Sequence, residues 1–481
     1  MKNAPTCLPS QPPLPGSWPS PGGDTEQFTG QSNRTVLISL MVPFTMVILN
    51  LTMFGIALPT LRDTFHTSAE VTAWLVTAYM LPFMITMPLY GRLGDELGKR
   101  RLFLAGIGIF LVGTLLALVA ATLPLLLLGR AVQGVGAACV VPLSMAIISQ
   151  LFPAQERGKA LGTWNSVGPM TAIATPFMAG LLIDHIGWRT IFAPILLVGL
   201  AAVWVVRGHV PARRSRLSQA TVLRNFDWGG VALLGAAVTA LTFYLSSQTI
   251  TGVATLRDWR LLLVTGLFFL AFFGWEQQQT IPYITLKIFA DKTFSRASFS
   301  AATRMFVMSG NSFLVPLYLT DIHHLSAAAT GIILTLHAAA LFVTMRAGGQ
   351  LADRWNSRRP VLIGFAGQII MMSFFALLPG NAPLWVVAAG LMAHGLGAGL
   401  SLAPLHRASM GQIKQAQAGM AAGLYSLIRF GGTVLGPIMT GVVLQQGLNQ
   451  GLLPIASYQM AYWLIAGVAM LGVVSVWGLN S

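Results

Sequence analysis

Five residues able to do chemistry stand inside otherwise apolar stretches of the sequence: Arg130, Arg304, Arg429, His337 and His394. A guanidinium keeps its charge at any cellular pH, so a buried arginine needs acceptors, an aromatic face or a wet cavity around it. Arg130 has Gln133 one helical turn away on the same face. An imidazole can change charge between about pH 5 and 8, which makes His337 and His394 candidates for carrying a proton. Asn50 and Thr52, in Leu49-Asn50-Leu51-Thr52, offer hydrogen bonds but cannot titrate. The 14 acidic residues fall at the ends of apolar stretches, in loops or in the N-terminal tail, and the deepest is Glu276. These residues leave three chemistries open: proton coupling through a histidine, a neutral or anionic ligand met by Arg130, Arg304 and Arg429, or equilibration with no coupled ion. Competing structural roles are snorkelling for Arg130 and interhelical hydrogen bonding for Asn50 and the histidines.

The elements that must position these residues are long apolar helices. Of 481 residues, 54% are hydrophobic and 9% charged, whereas a soluble domain carries about 25% charged residues. The apolar runs are roughly 20 residues long, enough to cross a hydrocarbon core about 30 Å thick. Spans are predicted near 35–58, 71–90, 102–121, 124–149, 160–183, 190–206, 229–248 and 260–276. Six more are predicted near 296–320, 327–346, 360–379, 384–405, 418–443 and 458–478. With both termini cytoplasmic, 22 Lys and Arg fall on that side, four on the other and three within spans, which is the positive-inside asymmetry. The net charge of +15 follows from that topology, and no nucleic acid partner is expected. Residues 1–33, rich in Pro, Ser and Gly, read as a disordered cytoplasmic tail.

Other classes find little support. No convergent set of nucleophile, base and oxyanion donors is present, so an enzyme is not expected. A Gly-x-x-x-x-Gly-Lys run for ATP is missing from the sequence. Cys7 and Cys139 sit in the tail and the fourth span, which suits neither a disulfide nor a metal, and no cofactor is expected. A membrane sensor or receptor would require a sizeable soluble output domain.

The chain contains an internal repeat. Gly91-Arg-Leu93-Gly-Asp95-Glu-Leu-Gly98-Lys-Arg100-Arg101 recurs as Gly349-Gln-Leu351-Ala-Asp353-Arg-Trp-Asn356-Ser-Arg358-Arg359, at an offset of 258. An offset of 261 then maps Gly134 onto Gly395, Pro176 onto Pro437 and Gly180 onto Gly441. Two related six-helix halves separated by two extra helices are therefore expected: 34–206, a linker at 207–280 with the extra helices, and 281–481. Transporters of two such repeats bind substrate between the halves near the bilayer midplane and rock around it.

The first motif resembles the signature loop of the major facilitator superfamily, and Arg130-x-x-Gln133-Gly134-x-Gly136 resembles that superfamily's second motif. The fourteen-span count resembles the EmrB/QacA-like drug/proton antiporter branch, as do Trp74-x-x-x-x-Tyr79, Ile56-Ala57-Leu58-Pro59 and Phe226-Asp227-Trp228-x-Gly230. The resemblance implies an all-α membrane protein, two six-helix bundles plus two linker helices, that exports small amphipathic molecules or drugs in exchange for protons. Uptake or facilitated transport of a neutral or anionic metabolite is the alternative. The resemblance further implies that Gly91, Leu93, Asp95, Gly98 and Arg100, with Gly349, Asp353 and Arg358, latch the cytoplasmic gate, and that Arg130 takes part in proton coupling. Pro176, Gly180, Gly436, Pro437 and Gly441 resemble the antiporter helix motif, although Thr175 and Ala179 stand where glycines are usual. Asn50 stands where the branch usually carries an aspartate. Expected partners are the lipid bilayer of the inner membrane, a small-molecule substrate, protons, and a periplasmic adaptor with an outer-membrane channel.

Overall fold

The structure, a computed structural model, describes residues 33–212, 226–279, 283–284, 286–410 and 418–477. Of the tail expected over 1–33, residues 1–32, including Cys7, lie outside the described residues, and Asn33 belongs to the first helix. Regular structure among the described residues is helical throughout. The first group is α1 (Asn33–Thr64), α2 (Ala69–Leu97), α3 (Lys99–Leu118), α4 (Leu123–Ala137), α5 (Val140–Leu151), α6 (Ala154–His185) and α7 (Phe192–His209). The middle group is α8 (Trp228–Leu245), the short α9 (Ser247–Thr251) and α10 (Trp259–Gln278). The last group is α11 (Lys292–Asp321), α12 (Ala327–Trp355), α13 (Arg358–Leu377), α14 (Leu384–Met410), α15 (Ala418–Asn449) and α16 (Pro454–Trp477).

Among the described residues thirteen helical stretches, with α4 and α5 taken as one, are long and apolar enough to cross a membrane. The remaining expected span, 296–320, falls within α11, which is 30 residues long but carries Ser, Thr, Asn and Arg304. Its polarity has a physical reason, because most of its middle is buried in protein, where polar side chains find partners that lipid cannot supply. The helices around the rim do the opposite: Trp204, Leu267, Trp385 and Val474 are exposed, as suits contact with lipid tails. The span expected at 124–149 is broken at Ala138–Cys139. Pro142 has no N–H to give to the Ala138 carbonyl, and the helix restarts there.

The two bundles use the same pairings. In the first, α1 packs on α6 and α7, α2 on α4, and α3 on α4 and α7. In the second, α11 packs on α15 and α16, α12 on α14, and α13 on α14 and α16. The bundles meet where α2 crosses α15, α6 crosses α12 and α1 touches α11. Helices α8 and α10 pack on each other, with α8 also touching α2 and α15.

Helix ends repeat as well. Ser68 and Ser326 cap α2 and α12 by accepting from Val71 N (3.2 Å) and Ala329 N (3.3 Å). Asp227, Asp258 and Asp291 cap α8, α10 and α11 in the same way, which explains why acidic residues gather at span ends. The motif over 91–101, expected as a loop, is instead helical as far as Leu97, and the turn is made at Gly98 alone (φ 92°). Arg, Leu and Glu are good helix formers and carry the helix through. In the second copy Asn356 makes the turn at φ 70°, and Asn is among the non-glycine residues that best tolerate positive φ.

Candidate functional site

The first polar cluster forms around Arg130, which is 1% exposed. Its Nη1 donates to Asn50 Oδ1 (3.2 Å) and Gln133 Oε1 (2.8 Å), and its Nε donates to the Leu75 carbonyl (3.2 Å). The guanidinium carbon lies 3.9 Å from the Phe54 ring centroid and 4.4 Å from that of Tyr79. Gln133 Nε2 in turn donates to Thr114 Oγ1 (2.9 Å). The cation is thus held by neutral acceptors and two π faces. Close approach of α4 to α2 makes this possible, since a Cβ on Gly134 would overlap the Tyr79 carbonyl. Thr52 is not part of the cluster; its hydroxyl folds back on the Ile48 carbonyl (2.8 Å) of its own helix.

The second cluster brings together the two histidines that the sequence offered as separate candidates. His337 Nε2 and His394 Nδ1 are 3.1 Å apart, with stacked rings 5.3 Å between centroids. Asn311 Nδ2 is 3.4 Å from the same His394 nitrogen. Two ring nitrogens at that distance bond only when one carries a proton and the other is bare, so the contact pair shares a proton. Protonating both rings would set two cations face to face. A Cβ on Gly395 would come 2.6 Å from the His337 carbonyl, which repeats the contact of Gly134 with Tyr79. The repeat accounts for the match: an offset of 261 carries Asn50 onto Asn311 and Gln133 onto His394, and 258 carries Tyr79 onto His337. Both halves therefore build a cluster from the same three positions, one around a fixed cation and one from titratable rings.

Arg304, 4% exposed, donates from Nε to Ser401 Oγ (2.9 Å) and from Nη2 to the Ala398 carbonyl (2.8 Å). Arg429 on α15 lies 4.6 Å from the ring centroid of Phe430, and its buried Nε has no hydrogen-bond partner among the described residues. Phe430 meets Phe83 of α2 edge-on at 5.1 Å, so this part of α15 sits at the boundary between the halves.

A third set of contacts, which sequence reasoning missed, joins the halves at the end remote from Gly98 and Asn356. Arg62 makes a two-pronged bond to Asp321 (2.7 and 2.7 Å), and Tyr458 donates to the same carboxylate (2.6 Å). Asp184 of α6 accepts from Ala327 N (3.0 Å) and Ala328 N (2.8 Å), capping α12 of the other half. Gln445 of α15 accepts from Ala69 N (3.0 Å), capping α2. The offset of 261 that pairs Asp184 with Gln445 was the available signal. Gly180 and Gly441 lie at these crossings. A Cβ on Gly180 would overlap Ala327, and one on Gly441 would come 3.0 Å from the Ala69 carbonyl. Pro176 presents its carbonyl to Gly331 across the same interface, whereas Gly436, next to Pro437, packs on Phe306 within its own half.

The motif ends of α2 and α12 are positioned differently. Leu93 is buried, and Gly91 faces Pro142 with a would-be Cβ at 3.8 Å. Arg100 donates to the Arg207 carbonyl. Asp95 lies in the last turn of α2. In the second copy Gly349 faces Ala403 at 3.8 Å, Asp353 pairs with Arg407 between exposed side chains, and Arg358 lies over Trp477 at 5.6 Å.

These features can be set beside known proteins. The model of the Major Facilitator Superfamily matches residues 40–293 and 297–480. The riboflavin transporter RibZ of Clostridioides difficile is 28% identical over 451 residues, covering 91% of this chain and 96% of that protein. The drug efflux pump JefA of Mycobacterium tuberculosis is 28% identical over 432 residues, covering 88% and 82%. A crystal structure of a D-xylose-proton symporter superposes with a TM-score of 0.69 at 13% identity, covering 93% of this chain and 98% of that one, a likeness of fold. Because the family match runs through both bundles and the helices between them, the chain belongs to the Major Facilitator Superfamily and is a multi-pass membrane transporter.

Proposed function

We propose that the protein exports small amphipathic molecules by alternating access, in exchange for protons. The observation that carries this reading is the pair of matched clusters, one permanently charged at Arg130 and one titratable at His337 and His394. Taking up a proton turns the histidine pair into a cation close to Arg304, and losing it restores a neutral, stackable pair. Of the two clusters only the histidine pair can change its charge during a cycle, and a group that does so is what coupling to a proton requires. Relatives named as a drug efflux pump and as a multidrug resistance protein of Bacillus subtilis support the outward direction. RibZ, a riboflavin transporter, supports the second reading, movement of a metabolite.

In this reading both termini lie in the cytoplasm and the chain in the inner membrane. The units are taken as 34–206, 207–280 and 281–481; the helices of the first bundle end at His209 and those of the second begin at Lys292, with α8 and α10 between them. The contacts of Arg62, Asp184 and Gln445 then close the outer end. Gly91, Leu93, Asp95, Gly98 and Arg100, with Gly349, Asp353 and Arg358, would latch the cytoplasmic end in the opposite state. In a cell with two membranes the route outward would continue through a periplasmic adaptor and an outer-membrane channel.

The test uses purified protein in proteoliposomes with an imposed proton gradient. Gradient-driven accumulation of substrate is expected in the wild type and is expected to be lost in His337→Gln or His394→Gln. Full accumulation in both variants would reject the histidine pair, and wild-type equilibration without gradient dependence would make the protein a facilitator.

A further inference from the structure

The charge balance of the second half is lopsided. Between Lys292 and Ser481 the sequence contains two acidic residues, Asp321 and Asp353. Asp321 is taken by Arg62 and Tyr458, and Asp353 by Arg407. Arg304 and Arg429 therefore have no carboxylate left in their own half, and they are close enough to repel each other. Tyr425 feels both guanidinium charges, and its ring lies 5.5 Å from that of His406. In the first half Arg130 is a further buried cation, and the buried acid of that half, Glu70, lies in the first turn of α2. Buried charge of one sign without a counter-charge is unfavourable, and a group bound from outside can supply what the chain lacks.

Arg304 is already engaged with Ser401 and Ala398. Arg429 is not: its Nε is buried without a partner among the described residues, and it stands beside Phe430 at the boundary with α2. The surroundings there are apolar and aromatic, with Phe83 against Phe430 and Met84 Sδ 3.9 Å from a would-be Cβ on Gly431. A guanidinium among such groups suits a molecule with a flat apolar body and one acid group. We propose that Arg429, backed by the field of Arg304, binds the carboxylate of an amphipathic organic anion, so that the transporter selects anions over cations. This names the substrate class of the transport reading and rests on it.

The experiment compares two probes of one shape and opposite charge, 2-naphthylacetate and 2-naphthylmethylammonium. Vesicles of phosphatidylcholine alone are used, so that no anionic lipid competes for Arg429. Binding to the purified protein and counterflow in proteoliposomes are both measured. The wild type is expected to bind the acid about 10-fold or more tighter than the amine, the worth of one charge-assisted bond. Arg429→Gln should lose about that factor for the acid and leave the amine unchanged or improved. Arg429→Lys should recover part of the loss, which a misfolded variant would not do. Equal or tighter binding of the amine by the wild type, or unchanged acid binding by Arg429→Gln, overturns the inference. Acid binding without counterflow keeps the anion site and rejects transport; counterflow of the amine alone keeps transport and rejects the anion.

Discussion

Arg130 shows what a buried cation needs when no carboxylate is at hand. Three acceptors and two aromatic faces share its charge, and the planar fork reaches them together. Arg130→Lys keeps the charge but not the fork, and transport is expected to fall about 10-fold or more, since roughly one or two charged hydrogen bonds are lost. Transport rates at matched membrane protein levels would check this, and an unchanged rate would mean that charge alone matters. Asn50→Asp restores the carboxylate usual in the resembling branch. Because Asn50 Oδ1 already lies 3.2 Å from Arg130 Nη1, the new carboxylate would be consumed by Arg130 instead of facing substrate. Little gain in cation transport is therefore expected, with a thermal midpoint higher by a few degrees. A marked cation preference would contradict this placement.

At the scale of elements, the crossings at Gly180 and Gly441 work by contact and the motif turns by conformation. Gly180→Val has no room against Ala327, so α6 and α12 must part at that end. Spin labels at His185 and His324 should report a longer distance in the variant, and an unchanged distribution would show that the crossing can absorb the side chain. The two motif copies should differ in consequence. Asp353 pairs with Arg407 with side chains 73% and 55% exposed, and such surface pairs contribute about 0–1 kcal/mol. Asp353→Asn is therefore expected to cost little transport and Asp95→Asn much. Parallel efflux assays would test the pair of variants, and equal losses would remove the distinction between the copies.

Across the whole molecule, the state observed is held closed at one end by Arg62, Asp321, Tyr458, Asp184 and Gln445. Arg62→Gln leaves Asp321 with Tyr458 alone. Breaking a partly buried, doubly hydrogen-bonded pair costs about 2–5 kcal/mol, a population shift of about 30-fold or more away from this state. Accessibility of a cysteine placed near the pair should rise to match, while an unchanged value would make the ion pair incidental to closure.

How much of this was legible beforehand depends on range. Apolar run length and charge placement are local properties, and they sufficed for the helices, the duplication and the buried arginines. The span that falls below membrane hydropathy, α11, shows where that stops: a helix wrapped by protein loses the apolar signature that lipid demands. Positive φ at Gly98 is readable from residue type, but the helical course of residues 91–97 is not, because Gly91 and Gly94 suit a turn as well as Gly98 does. Contacts between residues 57 positions apart, such as His337 with His394, depend on which helix faces meet. The same holds for Asp184 and Gln445, whose matching offset was present but whose targets, the backbone N–H groups of the opposite half, carry no side-chain signal. Run length and residue type alone require polar groups to lie inside a duplicated helical bundle, because charge exposed to lipid is too costly. Which of them touch is set in three dimensions, where the packing of helix against helix selects the pairs.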